Sequence, residues 1–396
     1  MRKISAAERR ARIGRRHRLA RSDQAAGPVQ AAASMVVLHA TDPATVHLSV
    51  AARVPGSEVP GTERALYDDR TLVRMLGMRR TVFVVPTGFA PVVQSACADE
   101  IAIKQRRLLV KHLTEAGIAA DADASGRWLR AVEESTATAL ALRGRATAAE
   151  LSADEPRLRS RLAMATGKSY AAQPYVTSRV LFQLAAEGRI VRGRPLGTWL
   201  SGQHQWFPAE NWLPAGLTDK PPADRARAEL AEAWLASFGP GTQADLQWWT
   251  GWNLGQTKKA LAAVSAVEVD LDGSVGYVLP GDDEPTQEPE PWVSFLPALD
   301  PTPMGWKERD WYLGNHKSRL FDNTGNVGPT IWSNGRIVGG WGQPESGEVR
   351  YRLLEDVGSE AAAAIEAEAA RWTSWLAGVR VTPRFRSPLE RELSKG

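Results

Sequence analysis

Two helical stretches followed by an alternating, turn-broken one recur three times along this chain, and that order restricts its fold more than any single motif. In the first copy "GPVQAAASMVVLHA", with Pro28 near its start, "DPATVHLSVAARV" and "GTERALYDDRTLVRML", opened by a Thr62 cap, carry helical periodicity. "MRRTVFVVP" then alternates as a strand. A long helical connector, "PVVQSACADEIAIKQRRLLVKHLTEAGI", leads to the second copy. There "RGRATAAELSA" is a helix, "YVTSRVLFQLAAEGRIVRG" a helix stopped by Gly188 that runs into a strand, and "GTWLSGQHQWF" the returning strand. The third copy reads "DRARAELAEAWLASFG", capped by Asp224, then "TQADLQWWTG", "NLGQTKKALAAV" and a hairpin about Asp272-Gly273 in "VEVDLDGSVGYVLP". Helix, helix and β-hairpin in that order make a winged helix-turn-helix. The expected fold class is therefore mainly α with β-hairpins (α+β): three tandem winged helix-turn-helix units plus a C-terminal β-rich region.

Composition breaks place the boundaries. The Pro-rich "NWLPAGLTDKPPAD" and the acidic "PGDDEPTQEPEPW" divide the chain into 1–96, a winged helix with a basic N-terminal helix, 97–220, connector and second winged helix, 221–285, the third, and 286–396. In the last segment "IWSNGRIVGGW" and "GEVRYRLLED" read as a hairpin with an Asn334-Gly335 turn, and "SEAAAAIEAEAARWTSWLAG" as a closing helix. Simple packing accounts for that hairpin more readily than a functional insert.

The 396 residues carry 43% hydrophobic and 24% charged side chains, ordinary globular usage, with a net charge of +4 placed unevenly. The opening "MRKISAAERRARIGRRHRLARS" is charged almost wholly by arginine, which suits phosphate contact and equally a solvated helix face. One cysteine, Cys97, excludes an intramolecular disulfide framework and any cysteine zinc cluster, so a reducing compartment fits. No apolar run approaches 18 residues and the Arg-rich start lacks an apolar signal core. The expectation is a cytoplasmic protein with no membrane contact, a transit peptide being the minor alternative. Six scattered histidines show no ligand spacing, so no metal and no cofactor is expected.

Phosphate-loop, nucleophile-elbow and H-E-x-x-H signatures are absent, and the Gly-rich "GWGQPESG" lies among strands as a turn. What remains is "VVLHATDPATVHLSVAAR". Asp42-Pro43 has a structural explanation, a capping Asp before a first-turn Pro. His39 and Thr41 lie outside that explanation. From the residues alone, a helix-end histidine bonding a terminal carbonyl is the leading account.

"LHATDPATVHLSVAARV", "RALYDDRTLVRMLGMRRTVFVVP", "ELAEAWLASFGPGTQADLQWWTG" and "FLPALDPTPMGW" resemble, in order and over most of the chain, the winged-helix DNA glycosylases typified by AlkZ and YcaQ. The resemblance implies three tandem winged helices around a concave DNA-binding face, a C-terminal β-region, and hydrolysis of the N-glycosidic bond of bulky or crosslinked N-alkylated purines. That activity serves DNA repair or genotoxin self-resistance in a bacterium. The family's catalytic Gln-x-Gln or Gln-x-Asp pair falls on His39 and Thr41, with Asp42 a secondary position. Relatives often read M-R-G-T-L-H where this chain has "MRRTVF", so Arg80 and Phe83 also depart.

A purine alkylated at N7 is already cationic and leaves without protonation. Positioning water and stabilising an oxocarbenium-like sugar then suffices. A neutral His39 can accept a proton from water or orient it, with Thr41 holding that water, so excision is expected to fall as pH drops through the ordinary imidazole value of about 6.5. Arg74, Arg79 and Arg80 follow the motif, and Arg179, Arg189, Arg192 and Arg194 surround the second recognition helix and wing. With Arg16, Asn334 and Arg336 they are the expected contacts to double-stranded DNA. The absence of a heptad run favours a monomer and weighs against the rival reading, a non-catalytic winged-helix regulator.

Overall fold

The computed structural model describes residues 1–162, 174–214, 216, 217 and 219–395; residues 215 and 218 of the Pro-rich boundary stretch lie outside them. The chain is a mixed α and β protein with small sheets, and it divides into two compact units, one of residues 1–72, 83–86 and 227–396 and the other of 73–82 and 87–226.

In the second unit a helix over Ala90–Val93 continues through a wide turn at Gln94–Ala98 into Asp99–Glu115, as the connector periodicity predicts. A 22-residue helix, Ala122–Arg143, follows. The sequence reading gave that stretch no element, although Asp121 caps it and Leu129, Val132, Thr136 and Leu140 mark a buried face at helical spacing. Thr147 and Glu150 then form a reciprocal capping box for Ala148–Asp154. The helix Thr177–Ala186 ends where Gly188 takes φ +69°, which glycine tolerates without a Cβ clash, and the antiparallel strands Ile190–Pro195 and His204–Pro208 make the wing. Leu129, Val132, Leu151, Val180, Leu184 and Trp206 close one core beneath it.

In the first unit the chain opens differently from its periodicity. The helix at Pro28 stops at Ser34 rather than reaching residue 40. Val36 enters the left-handed region at φ +63°, and the β-branched Val36-Val37 pair hands over to a two-residue strand, Leu38–His39, paired with Val84 and Phe83 of the strand Val82–Pro86. The helix Pro43–Ala51 forms as expected. The third expected helix is a correction: it starts at Val59, because Pro60 presets helical φ, so Thr62 is buried inside it. It ends after Arg64–Asp68, and "TLVRML" is mostly strand, Leu72–Leu76.

The third winged helix follows its reading with one correction: the first helix starts at Ala223, ahead of Asp224, which lies in its first turn rather than capping it. Helices Ala223–Phe238, Gln243–Thr250 and Leu254–Ala263 precede strands Val267–Leu271 and Ser274–Val278, joined by Asp272 and Gly273 at φ +55° and +96°. The N-terminus adds a strand to this wing, Arg2–Lys3 running parallel to Val267–Leu271. The basic helix Ala6–Arg16 then lies along the acidic linker: Arg12 and Arg16 bond Asp282, and the Arg15 guanidinium donates to the Gln287 carbonyl. Its arginines hold a fold contact that the opposite charges of the two stretches explain.

Beyond the linker, a four-stranded antiparallel sheet runs in the order Arg350–Leu353, Arg336–Gly342, Thr330–Ser333, Val293–Leu296. Asn334 and Gly335, at φ +47° and +79°, form the expected turn. The helix Ser359–Leu376 covers one face, with Trp372 stacked 6.0 Å from Trp341, and it is not the closing element, since Pro388–Leu393 forms another helix.

Candidate active site

Extended backbone gives a period of two, and this decides which side chains the segment before the helix Pro43–Ala51 presents together. Leu38 and Ala40 are fully buried, whereas His39 and Thr41 are both half-buried on the opposite side. His39 sits directly across from Phe83 in the ladder, their rings edge to face at 74° with centroids 5.5 Å apart. The Thr41 backbone N–H points at His39 Nδ1 across 3.4 Å. That contact makes Nδ1 the acceptor and puts the hydrogen of the neutral ring on Nε2. The Thr41 hydroxyl makes no hydrogen bond among the described residues.

Asp42 is the helix cap that its sequence predicts. Oδ1 accepts from the Ala44 N–H at 3.2 Å, and Oδ2 accepts from the Arg384 N–H at 2.9 Å, which ties the C-terminal segment to the start of the helix. Both oxygens of this buried carboxyl thus serve backbone amides. Asp42→Ala is expected to lower stability by about 1–2 kcal/mol, read by chemical denaturation, with excision per folded molecule unchanged. The cavity that reaches Asp42, lined also by Thr45, Pro297, Trp341 and Pro383, holds about 10 Å³. One water fills it and a nucleobase does not fit.

Further along the same helix Ser49, and just beyond it Arg53, bond Asp300, and the Thr45 hydroxyl donates to the Ala298 carbonyl at 2.9 Å. These anchors fix the helix whose start carries His39 and Thr41. Sequence reasoning missed them, and the only signal was that "FLPALDPTPMGW" belongs to the resemblance.

The expected DNA contacts divide between the units. Arg16 donates to Asp282 at 2.5 Å and to the Gly239 carbonyl at 2.9 Å, so it is tied into the fold. Asn334 is a turn residue whose Oδ1 accepts from the Trp292 N–H at 2.8 Å, and Arg336 pairs with Glu355. In the second unit, Arg74 is buried and lines a small cavity with Arg192, whose guanidinium lies 5.4 Å from the Trp206 ring centroid. Burial, then the positive charge of Arg192, and more weakly that of Arg74, hold the His204 imidazole down at about 4. Arg189 makes a two-pronged pair with Glu134. Arg179, at the start of the recognition-position helix Thr177–Ala186, and Arg194, on the wing strand, are exposed. Arg79 and Arg80 form a turn with φ +53° and +60° at both positions. Among the described residues no His/Cys/Asp/Glu group is arranged to hold a metal ion, and no helix is long and apolar enough to cross a membrane.

The profile of the family described as DNA glycosylase AlkZ-like matches residues 32–375. The solved structure of the Streptomyces sahachiroi DNA glycosylase AlkZ shares the fold, with a TM-score of 0.74 and 21% identity over 96% of this chain and 99% of its own. No curated protein matches the chain. With the profile spanning most of its length, the chain belongs to the AlkZ-like DNA glycosylase family.

Proposed function

We propose that the protein is a monofunctional DNA glycosylase that hydrolyses the N-glycosidic bond of bulky or crosslinked N-alkylated purines in double-stranded DNA, with His39 and Thr41 handling the water. The observation that carries this reading is the pairing of a half-buried imidazole with an unengaged hydroxyl on one face, beside a carboxyl wholly occupied by backbone amides. In this arrangement His39 Nε2–H donates to a water and the Thr41 hydroxyl oxygen accepts one of its hydrogens, which leaves a lone pair of that water for the anomeric carbon. The electron pair of the glycosidic bond leaves with the cationic base, which departs neutral, and the proton of the added water passes to solvent. Neither group is strong enough to activate an uncharged base as leaving group. The chemistry therefore suits a purine already made cationic by alkylation, where orientation and electrostatics are sufficient.

Exposed Arg80, Arg179 and Arg194, with Arg79 and Arg192, are the proposed phosphate contacts, which position the duplex and carry no base information. Arg79 and Arg80 occupy a backbone region that disfavours L-residues by about 1–2 kcal/mol each, strain that accompanies a functional turn. Arg80→Gly is expected to raise stability by up to about 1 kcal/mol, since glycine accepts φ +60° at no steric cost but loses more entropy. It should also reduce the salt slope of DNA binding by about 1. Thermal denaturation and a salt titration of affinity measure the two effects.

The test of function is incubation with duplexes carrying N7-methylguanine, N3-methyladenine, a bulky N7 adduct or an interstrand crosslink, followed by chromatography of released base. Release of the cationic lesions with unmodified purines untouched is expected. Binding without release from any of them would make the protein a DNA-binding regulator.

A further inference from the structure

After the helix Ser359–Leu376 the chain returns to the candidate active site, and side chains from the rest of the same unit fix its course. The buried Gln343 accepts from the Val381 N–H at 2.9 Å and donates to the Val379 carbonyl at 3.1 Å. Asp42 Oδ2 then takes the Arg384 N–H at 2.9 Å. Ser387 caps the following helix, Pro388–Leu393, which buries Leu389 and Leu393. Held on both sides in this way, the arm of residues 379–387 does not depend on Asp42 alone. Pro383 restricts φ in its middle and is buried against the start of the helix Pro43–Ala51, where the cavity it shares with Asp42 holds only about 10 Å³.

Arg384 is the residue that this arm brings to the site. Its bond to the Asp42 carboxyl and ordinary covalent lengths keep the two Cα atoms within about 8 Å of each other. Thr41 is the next residue along, so an arginine side chain can serve a nucleotide held there. Arg384 is exposed, and its guanidinium lies 6.0 Å from the Phe385 ring centroid and makes no hydrogen bond or ion pair among the described residues. Asp42 does not take that charge by hydrogen bonding, because both its oxygens serve backbone amides. Arg386, two residues on, differs: it meets Glu390 through two bonds of 2.6 and 3.1 Å. One charge of the arm is consumed by the fold and the other is left for a partner. A bare cation would oppose the proposed chemistry, since a like charge beside an oxocarbenium-like sugar raises the barrier. A phosphate removes the conflict, because it neutralises the guanidinium and accepts two of its N–H groups in parallel.

We propose that Arg384 is a positioning residue that grips a phosphate flanking the lesion nucleotide and so sets its sugar against the water at His39 and Thr41, an inference that rests on those two residues being the excision site. It places a phosphate contact on the unit that carries the chemistry, at a residue outside the arginine clusters that the sequence singles out. The anchors at Gln343, Asp42 and Ser387 order the arm before DNA arrives, so little backbone freedom is lost on binding.

The experiment measures binding of the full-length protein to a duplex carrying N7-methylguanine on a 2′-fluoro sugar, where the fluorine resists base loss and affinity is read without excision. Arg384→Ala keeps the backbone N–H that Asp42 holds, so it should keep the parent's unfolding midpoint while binding about tenfold more weakly and with a salt slope smaller by about 1. Arg384→Lys should recover the slope and only part of the affinity. The sharper comparison replaces one phosphate at a time, 5′ or 3′ of the lesion, by a neutral methylphosphonate. At one of these positions the change should weaken the parent about tenfold and Arg384→Ala hardly at all, the non-additivity of two groups in contact. Equal losses in parent and variant at both positions, or an Arg384→Ala protein with the parent's affinity and slope, would overturn the proposal. A parent that shows the coupling yet releases no base from ordinary N7-methylguanine duplexes would remove the hydrolytic reading and leave the phosphate contact standing.

Discussion

Asp300→Ala should lower stability by about 3–5 kcal/mol, because it strands a buried cation. Arg53 and Asp300 are both completely buried, and the guanidinium meets the carboxylate through two bonds of 2.8 and 2.7 Å. The Ser49 hydroxyl and the Thr302 N–H complete the carboxylate's shell at 2.7 and 2.9 Å. Burial pushes the Asp300 carboxyl up, but the Arg53 charge and these bonds outweigh it and hold the group below the usual carboxylate range. The network continues: Arg53 donates to Thr302 Oγ1, leaving that hydroxyl's hydrogen for His17 Nδ1, while His17 Nε2–H donates to the Ser237 carbonyl. Burial, with the Arg53 charge adding to it, takes the His17 imidazole down to about 3. The sign of the pH effect follows. The folded protein keeps His17 neutral where the unfolded chain protonates it, so stability is complete above about pH 6.5 and falls by about 1.4 kcal/mol per unit until pH reaches the folded value. Asp300 adds to the loss below the ordinary carboxylate range. Urea midpoints across pH 3–8 check both effects. A parent curve flat between pH 6 and 4, or an Asp300→Ala variant within 1 kcal/mol of the parent, would remove this network from the account of stability. Arg53→Met with Asp300→Leu should recover much of the loss, since no lone charge remains.

The same network shows why part of this protein is illegible in its sequence. Asp300 lies 247 residues from Arg53, and Thr302 lies 285 from His17, so no local pattern joins them. Features set by neighbouring residues were readable: the Asp272-Gly273 and Asn334-Gly335 turns, the Gly188 stop, and the Asp42-Pro43 cap. Elements held by distant pairing were not. Leu38–His39 and Leu72–Leu76 carry helix-compatible residues and become strands through tertiary contacts, a case of packing overriding weak propensity. The arginine-rich start reads as phosphate-seeking, yet Arg12 and Arg16 meet Asp282 in the acidic linker about 270 residues away. The apolar run through Val37 and Leu38 has helical periodicity, which hides the extended backbone that pairing with Phe83 and Val84 imposes on Leu38–His39. The selection of His39 and Thr41 came from family resemblance, and the structure supplies a geometry in which it makes chemical sense.

His39→Ala should slow excision of an N7-alkylpurine by about 10–10²-fold, the worth of the lost hydrogen bond and of the orientation it gives the water, while leaving affinity for the same duplex within a few-fold. Thr41→Ala should cost about tenfold, the worth of one hydrogen bond to the water. In the parent, excision should fall as pH drops through the imidazole range, for two reasons with the same sign. Protonation puts a hydrogen on Nδ1 where the Thr41 N–H already points, which breaks the contact that orients the ring. It also places a cation beside a departing cationic base and an oxocarbenium-like sugar, whose repulsion raises the barrier. The decisive variant is His39→Gln. An amide keeps an acceptor for the Thr41 N–H and a donor for the water but does not titrate, so this variant should retain most of the activity and lose the acid limb. Single-turnover excision between pH 5 and 8, with binding measured at each pH, separates these effects. A His39→Ala protein as fast as the parent would reduce His39 to a helix-end histidine. An acid limb that persists in His39→Gln would assign the titration to another group and leave His39 an orienting role alone.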